Sequence, residues 1–456
     1  MNPLVRAALA CSILIVELPA QSQGLIVITG GTLIDGTGST PLQDAIVFIK
    51  GERFLKVGSD ATQRIPPGSR IIDARGKYIL PGLIDTHVHL EMPGLSDLVE
   101  LPDEWNRAEN IREIVAIDAR LDLIAGFTTV RDLGSSEVVL KVRDEIGSGS
   151  LIGPRIIAAG MQLVKRAADS PPERAFLEYE GAESARSAVR MLAAMGAGVI
   201  KVRLTHARPV PSGEEIRAIV DEAHRLGLKV TVHTDVPADD LVKLAIEARA
   251  DGIEHNAPLR VQDTQTLTQM ARQKMSLMAG AGHFYVQRID TTGLIDRFDI
   301  AQKRLLPGEI LSALKAGLGV LHEQTHQMRE NGWSAATRQA GFMSDMQRAR
   351  AAGVLLVFGT DCGAYGMVHG EQYKALYGES QMGSTPMEVI QMATRDAARA
   401  LGMDGELGTI TEGKLADVVI VEADPLADLR NFRHIFRVIK GGSVYDPEEM
   451  LAMPAH

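Results

Sequence analysis

Gly82-Leu83-Ile84-Asp85-Thr86-His87-Val88-His89 is the stretch on which the fold turns. It opens as a short apolar strand and closes on two histidines one residue apart. Side chains alternate along a strand, so His87 and His89 project to the same side. Seven later segments are built alike: residues 128–131, 155–159, 199–203, 229–233, 252–255, 276–281 and 354–360. Between them run stretches with apolar residues at helical spacing, clearest at 183–195, 213–226 and 237–250. Eight such β/α units over about 320 residues predict a TIM (β/α)8 barrel with insertions, spanning 81–403. An open doubly wound sheet is the alternative, but no Gly-rich nucleotide fingerprint follows the first strand.

Outward from the barrel, both flanks change texture. Leu25-Ile26-Val27-Ile28, Ala45-Ile46-Val47-Phe48-Ile49 and Arg70-Ile71-Ile72-Asp73 are β-rich runs cut by glycine and proline turns. The C-terminal side repeats this at Gly408-Thr409-Ile410, Ala416-Asp417-Val418-Val419-Ile420-Val421 and Arg437-Val438-Ile439-Lys440. Two strand-rich ends around a different middle predict one composite β-sandwich built from 23–80 and 404–456.

At the N-terminus, Arg6 precedes an apolar run over 7–16 broken only by Ser12, and small residues follow at Ala20 and Ser22. That pattern fits an export signal over 1–22, and so a periplasmic or secreted protein. A lipoprotein site at Cys11 is the lesser alternative. Signal removal leaves Cys362 as the only thiol, so no internal disulfide is expected. No other stretch has the length of apolar chain that spans a bilayer, so no stable membrane insertion is expected. Lys and Arg number 48 against 58 Asp and Glu, a net charge of −10. This balance argues against a nucleic-acid partner. A small-molecule substrate and a homo-oligomer are expected instead.

Catalytic residues of such barrels lie at the C-terminal ends of strands. There the sequence sets His87 and His89, Lys201 within Val199-Ile200-Lys201-Val202-Arg203, then His233, His255 and Asp361. Histidines with a carboxylate suit zinc or a similar divalent ion. A lysine among β-branched residues either faces outward or is buried, and burial disfavours its charge. A neutral amine reacts with carbon dioxide, and the resulting carbamate is an anion able to bridge two metals.

These residues carry a family resemblance. Ile79-Leu80-Pro81-Gly82-Leu83-Ile84-Asp85-Thr86-His87-Val88-His89, Lys201, His233, Ile253-Glu254-His255, Phe358-Gly359-Thr360-Asp361 and the tail from Leu407 to Asp417 resemble the amidohydrolase superfamily of metal-dependent hydrolases. Within it the chain is most similar to the imidazolonepropionase-like group, which includes Xaa-Pro dipeptidases. The resemblance implies two divalent metals, zinc by preference. His87, His89 and Asp361 would hold one, and His233 and His255 the other. Lys201 would bridge them as N6-carboxylysine. It further implies attack by a metal-bridging hydroxide, with Asp361 passing the proton to the leaving amine. The expected reaction is hydrolysis of an amide bond in a dipeptide or N-acyl amino acid. A cyclic-amide hydrolase or deaminase on the same scaffold is the alternative, and a non-catalytic binding protein a weaker one.

The loop Arg203-Leu204-Thr205-His206-Ala207-Arg208-Pro209 and the Thr234-Asp235 that follows His233 depart from the family's pattern, and such loops form the substrate pocket. Arg203 lies two residues from Lys201 and so projects to the same side, where it would pair with a substrate carboxylate; a structural salt bridge is the alternative. His283, Tyr285 and His369 follow the seventh and eighth strands and are further candidates for substrate contact. One rival motif stands apart. His322-Glu323-Gln324-Thr325-His326 is a literal H-E-x-x-H, a zinc-protease spacing. It precedes strand eight on a predicted helix and reads as a solvated face. Ser312-Ala313-Leu314-Lys315 lacks the companion motifs of a serine acyl-transfer enzyme.

Overall fold

The computed structural model describes residues 24–59, 64–92, 94, 107–168, 173–234, 239–255, 264–278, 280, 282, 305–330, 334–364 and 366–454. The export segment and the candidate site residues His283 and Tyr285 lie outside the described residues.

The N-terminal flank forms β1 (Ile26–Leu33), β2 (Leu42–Lys50), β3 (Arg53–Gly58), β4 (Arg70–Asp73) and β5 (Tyr78–Pro81). The C-terminal flank adds β16 (Val418–Val421), β17 (Ile435–Lys440) and β18 (Ser443–Tyr445). Both flanks join one eight-stranded sheet in the order β18-β17-β16-β5-β1-β2-β3, with β4 also paired to β1. The seam between the chain's two ends is antiparallel, Val418 opposite Pro81 and Val421 opposite Tyr78. The β-branched side chains of Ile26, Ile28, Val47, Val418 and Ile420 pack into one core beneath it. Gly408-Thr409-Ile410, expected as a strand, is a loop; its Ile410 N–H donates to the Asp35 carbonyl at 3.0 Å.

All eight strands expected of the middle region are present and parallel. They are β6 (Leu83–Val88), β7 (Phe127–Asp132), β8 (Arg155–Ala158), β11 (Val199–Leu204), β12 (Lys229–Thr234), β13 (Gly252–Glu254), β14 (Ser276–Met278) and β15 (Leu355–Val357). β6, β7 and β8 form one parallel sheet, and β11 to β15 run in order through a second. Every residue of β6 and β7 is buried, as expected for parallel strands covered on both faces. Hydrogen bonds join the two sheets at both margins. Thr86 N donates to Phe358 O at 3.1 Å, Asp361 N to His87 O at 2.8 Å, and Gly198 N to Ala158 O at 2.8 Å. The fold is therefore α/β with parallel sheets. The helices match their periodicity: Ala182–Ala194, Gly213–Arg225 behind a Ser212/Glu215 capping box, and Asp239–Glu247.

Two features were not legible. β13 and β15 end sooner than their apolar runs suggest. His255 (φ 33°), just past β13, turns into the left-handed region, as does Asp361 (φ 57°) beyond the run after β15. The chain also forms β9 (Gln162–Lys165) and β10 (Phe176–Tyr179), with β9 paired between β10 and β11. These strands bring Gln162, Glu173 and Phe176 to the C-terminal ends of the neighbouring strands.

Candidate metal centre and substrate cavity

Six sequence-chosen residues from five separate strands converge. His87, His89, Lys201, His233, His255 and Asp361 all line one cavity of about 370 Å³. His87 Nε2 lies 3.3 Å from His89 Nε2, 3.4 Å from Asp361 Oδ1 and 3.5 Å from Lys201 Nζ. His89 Nε2 lies 3.2 Å from the same Asp361 oxygen. One donor atom from each of His87, His89 and Asp361 falls within 4.8 Å of the others, a group able to hold a metal ion. Beside it, His233 Nδ1 stands 3.0 Å from His255 Nε2, and the His87 and His255 rings are 5.0 Å apart.

The ring orientations suit metal ligation. His87 donates Nδ1–H to Glu254 Oε2 at 2.8 Å, and His89 donates Nδ1–H to the Gly134 carbonyl at 3.0 Å. Each thereby leaves Nε2 with a lone pair facing the cavity. Burial, helped by nearby Lys201, holds His87 down at about 3, so its ring stays neutral. Burial and His233 likewise hold His255 well below the usual range. Burial opposes the charge of Asp361, yet its carboxyl, set against the rings of His87, His89 and His255, is held well below the usual range. Neutral imidazoles facing an ionised carboxylate are the protonation states a divalent cation requires. The positive φ of His255 and Asp361 costs on the order of 1–3 kcal/mol each, a strain typical of functional sites. At Gly363, in the loop beyond Asp361, a Cβ would stand 2.3 Å from the His89 carbonyl oxygen, so only glycine lets the loop pass.

Lys201 is 1 % exposed, and burial lowers its ammonium to about 8, against the pull of Glu254 and Asp361. Glu254, quoted in the sequence only for the family resemblance, was given no role there. Burial disfavours its charge, yet Arg131 and the His87 hydrogen bond hold its carboxyl well below the usual range. It accepts from Arg131 Nη2 at 2.6 Å and also from Thr231. Charged residues inside all-buried strands, Arg131 in β7 and Glu254 in β13, were the available signal.

Towards the mouth, Arg203 lines the cavity with its guanidinium 5.9 Å from the Phe176 ring. Among the described residues no carboxylate pairs with it. Arg208 faces the same ring at 5.2 Å but is neutralised by Glu173 and Glu178, both at 3.0 Å.

His369 requires a correction. It does not line the cavity. It is fully buried, with Nδ1 2.9 Å from Asp122 Oδ1 and Nε2 3.3 Å from the His89 carbonyl oxygen. Donation from both nitrogens needs an imidazolium. Burial opposes that charge, but Asp122 and Asp118 outweigh it and push His369 up to about 10. The signal was Asp118 and Asp122, two acids one turn apart within the apolar face of helix Ala108–Ile124. Cys362 is buried and donates to Val368 O at 3.6 Å, with burial pushing its thiol well up. Glu323 of the H-E-x-x-H run is exposed on helix Gly308–Glu330 and accepts from Gln327 at 3.0 Å. Ser312 donates to Gly308 O at 2.8 Å. A larger recess of about 780 Å³ opens at the N-terminal ends of β12 and β15, where Arg350 and Arg395 are paired with Glu388 and Asp396.

Buried imidazoles and a carboxylate at the C-terminal ends of parallel strands define a metal-binding hydrolase class. The Amidohydrolase family profile matches residues 78–444, and the chain belongs to that family. It is accordingly a hydrolase of carbon–nitrogen bonds, and a divalent metal is that family's general cofactor. It is 27% identical over 466 residues to ochratoxinase of Aspergillus niger, covering 92% of this chain and 86% of that one. It is 25% identical over 426 residues to 5-methylthioadenosine/S-adenosylhomocysteine deaminase of Symbiobacterium thermophilum, covering 88% and 85%. Among solved structures it is similar to a Xaa-Pro dipeptidase with bound methionine in the active site. There the TM-score is 0.73 and the identity 26%, over 93% of this chain and all of the other.

Proposed function

We propose that the protein is a binuclear metal-dependent amidohydrolase that cleaves the amide bond of a dipeptide or an N-acyl amino acid. The convergence of six ligand-type side chains in one cavity carries this reading. His87, His89 and Asp361 would hold one divalent ion, zinc by donor type, and His233 and His255 would hold a second. Ions held there would supply Lewis acidity for the scissile carbonyl and the attacking water. Lys201 in its neutral form adds to carbon dioxide and loses a proton. The carbamate so formed would be a buried anion able to join the ligand set of both ions. Asp361 takes the proton of the attacking water and hands it to the leaving nitrogen. Around this centre, we read 81–403 as a (β/α)8 barrel, with 23–80 and 404–456 as one β-sandwich domain. The charged and apolar pattern of 1–22 supports export.

The substrate assignment rests on Arg203, a cavity-lining guanidinium without an acidic partner among the described residues. A charge-assisted pair with a substrate carboxylate satisfies it. A screen of dipeptides and N-acyl amino acids on zinc-loaded protein tests the reading. Arg203→Met should raise KM about ten- to a hundredfold for carboxylate-bearing substrates and spare neutral amides. Equal effects on both would overturn the assignment.

A further inference from the structure

Behind the metal centre, on the side away from the cavity, lies a second polar cluster that the proposed reaction does not use. Asp118 and Asp122 on helix Ala108–Ile124 meet His369 and Gln372, and all four side chains are buried. Asp122 Oδ1 accepts from His369 Nδ1 and from Gln372 Nε2. One oxygen each of Asp118, Asp122 and Gln372 has no hydrogen-bond partner. Burying such groups half-satisfied is costly, so the cluster is not maintained by its own bonding.

From the cluster one hydrogen bond leads outward to a candidate metal ligand. His369 Nε2 donates to the main-chain carbonyl of His89, at the turn that follows the His87-Val88-His89 strand end. That turn is otherwise tied to the Asp361 loop by backbone bonds, Asp361 N to His87 O and His89 N to Cys362 O at 2.7 Å. The His89 ring is fixed by Gly134 O. His369 therefore anchors the peptide of the one ligand whose backbone leaves the sheet at this point.

We infer that His369 is a positioning residue, braced by Asp122, that sets the His89 main chain and thereby the geometry of the His87–His89–Asp361 metal site. The inference rests on the reading of that group as a metal site.

Two substitutions separate the two bonds of the imidazole. In His369→Gln the amide reaches the place of Nε2 and keeps the bond to His89. In His369→Asn the shorter amide occupies the place of Nδ1, keeping the bond to Asp122 and losing the one to His89. Zinc titration of metal-free protein, followed by calorimetry alongside thermal unfolding, gives a readout independent of turnover. His369→Asn should lose about tenfold or more in affinity for one ion, with the other bound as in wild type. His369→Gln should bind both ions close to wild type. The reverse order, or equal weakening of both ions in both variants, would overturn the positioning role and leave a fold-stabilising Asp122 pair. Wild-type affinity for both ions in His369→Asn overturns it too. Failure of the wild-type protein itself to take up zinc overturns the metal-site reading, a separate outcome.

Discussion

His87 and His369 are both fully buried, on either side of the same strand end, yet they are driven to opposite charge states. Burial, helped by Lys201, holds His87 at about 3 against the pull of Asp361 and Glu254. His369 faces two aspartates, which overcome burial and raise it to about 10. Depth alone does not decide protonation; the balance between burial and the neighbouring charges does, and it falls to burial at His87 and to the aspartates at His369. The cavity side keeps His87 and His255 as neutral electron-pair donors for a metal. The far side makes one into a cation that donates two hydrogen bonds and anchors backbone.

The bluntest way to break the contrast is to unbalance the cavity side. Glu254→Gln removes the anion that fixes the His87 ring and pairs with buried Arg131. Denaturant unfolding of the metal-free variant should read a loss of about 3–5 kcal/mol, because Arg131 is left uncompensated. Unaltered stability would mean that the network does not orient His87.

A subtler probe uses pH. Between about 3 and 6.5, unfolded His87 binds a proton that the folded ring refuses. The metal-free protein should therefore lose stability as pH falls through that window. Between 6.5 and about 10 the folded state keeps a proton on His369 that the unfolded state releases. Its contribution is complete below 6.5 and disappears as pH rises towards 10. The stability difference between wild type and His369→Gln should shrink across that alkaline range. A difference flat in pH would refute the imidazolium assignment.

The contrast also marks how far sequence reading reaches. Strands β6 and β11 to β15 were legible because apolar runs between helical periods are local signals. The convergence of the six ligand-type residues on one cavity was legible because strand ends are where such residues gather. His369 was misplaced because its position after the eighth strand says nothing of which way the ring turns. That direction is set by Asp118 and Asp122, some 250 residues earlier in the chain (|i−j| 247 for the Asp122 bond). Glu254 escaped for a like reason, since its partners Arg131 and Thr231 come from other strands. The β9 and β10 pair escaped because four-residue strands carry little period. Phe176 and Glu173 at the cavity wall went unread with it.

In the proposed reaction Lys201 would join two metal ions beside the imidazoles. Metal content per chain, measured on purified wild-type and Lys201→Ala protein together with amide hydrolysis, tests it most directly. The account expects about two ions in the wild type, and in the variant about one or fewer with activity collapsed. Two tightly held ions and undiminished activity in Lys201→Ala would contradict it.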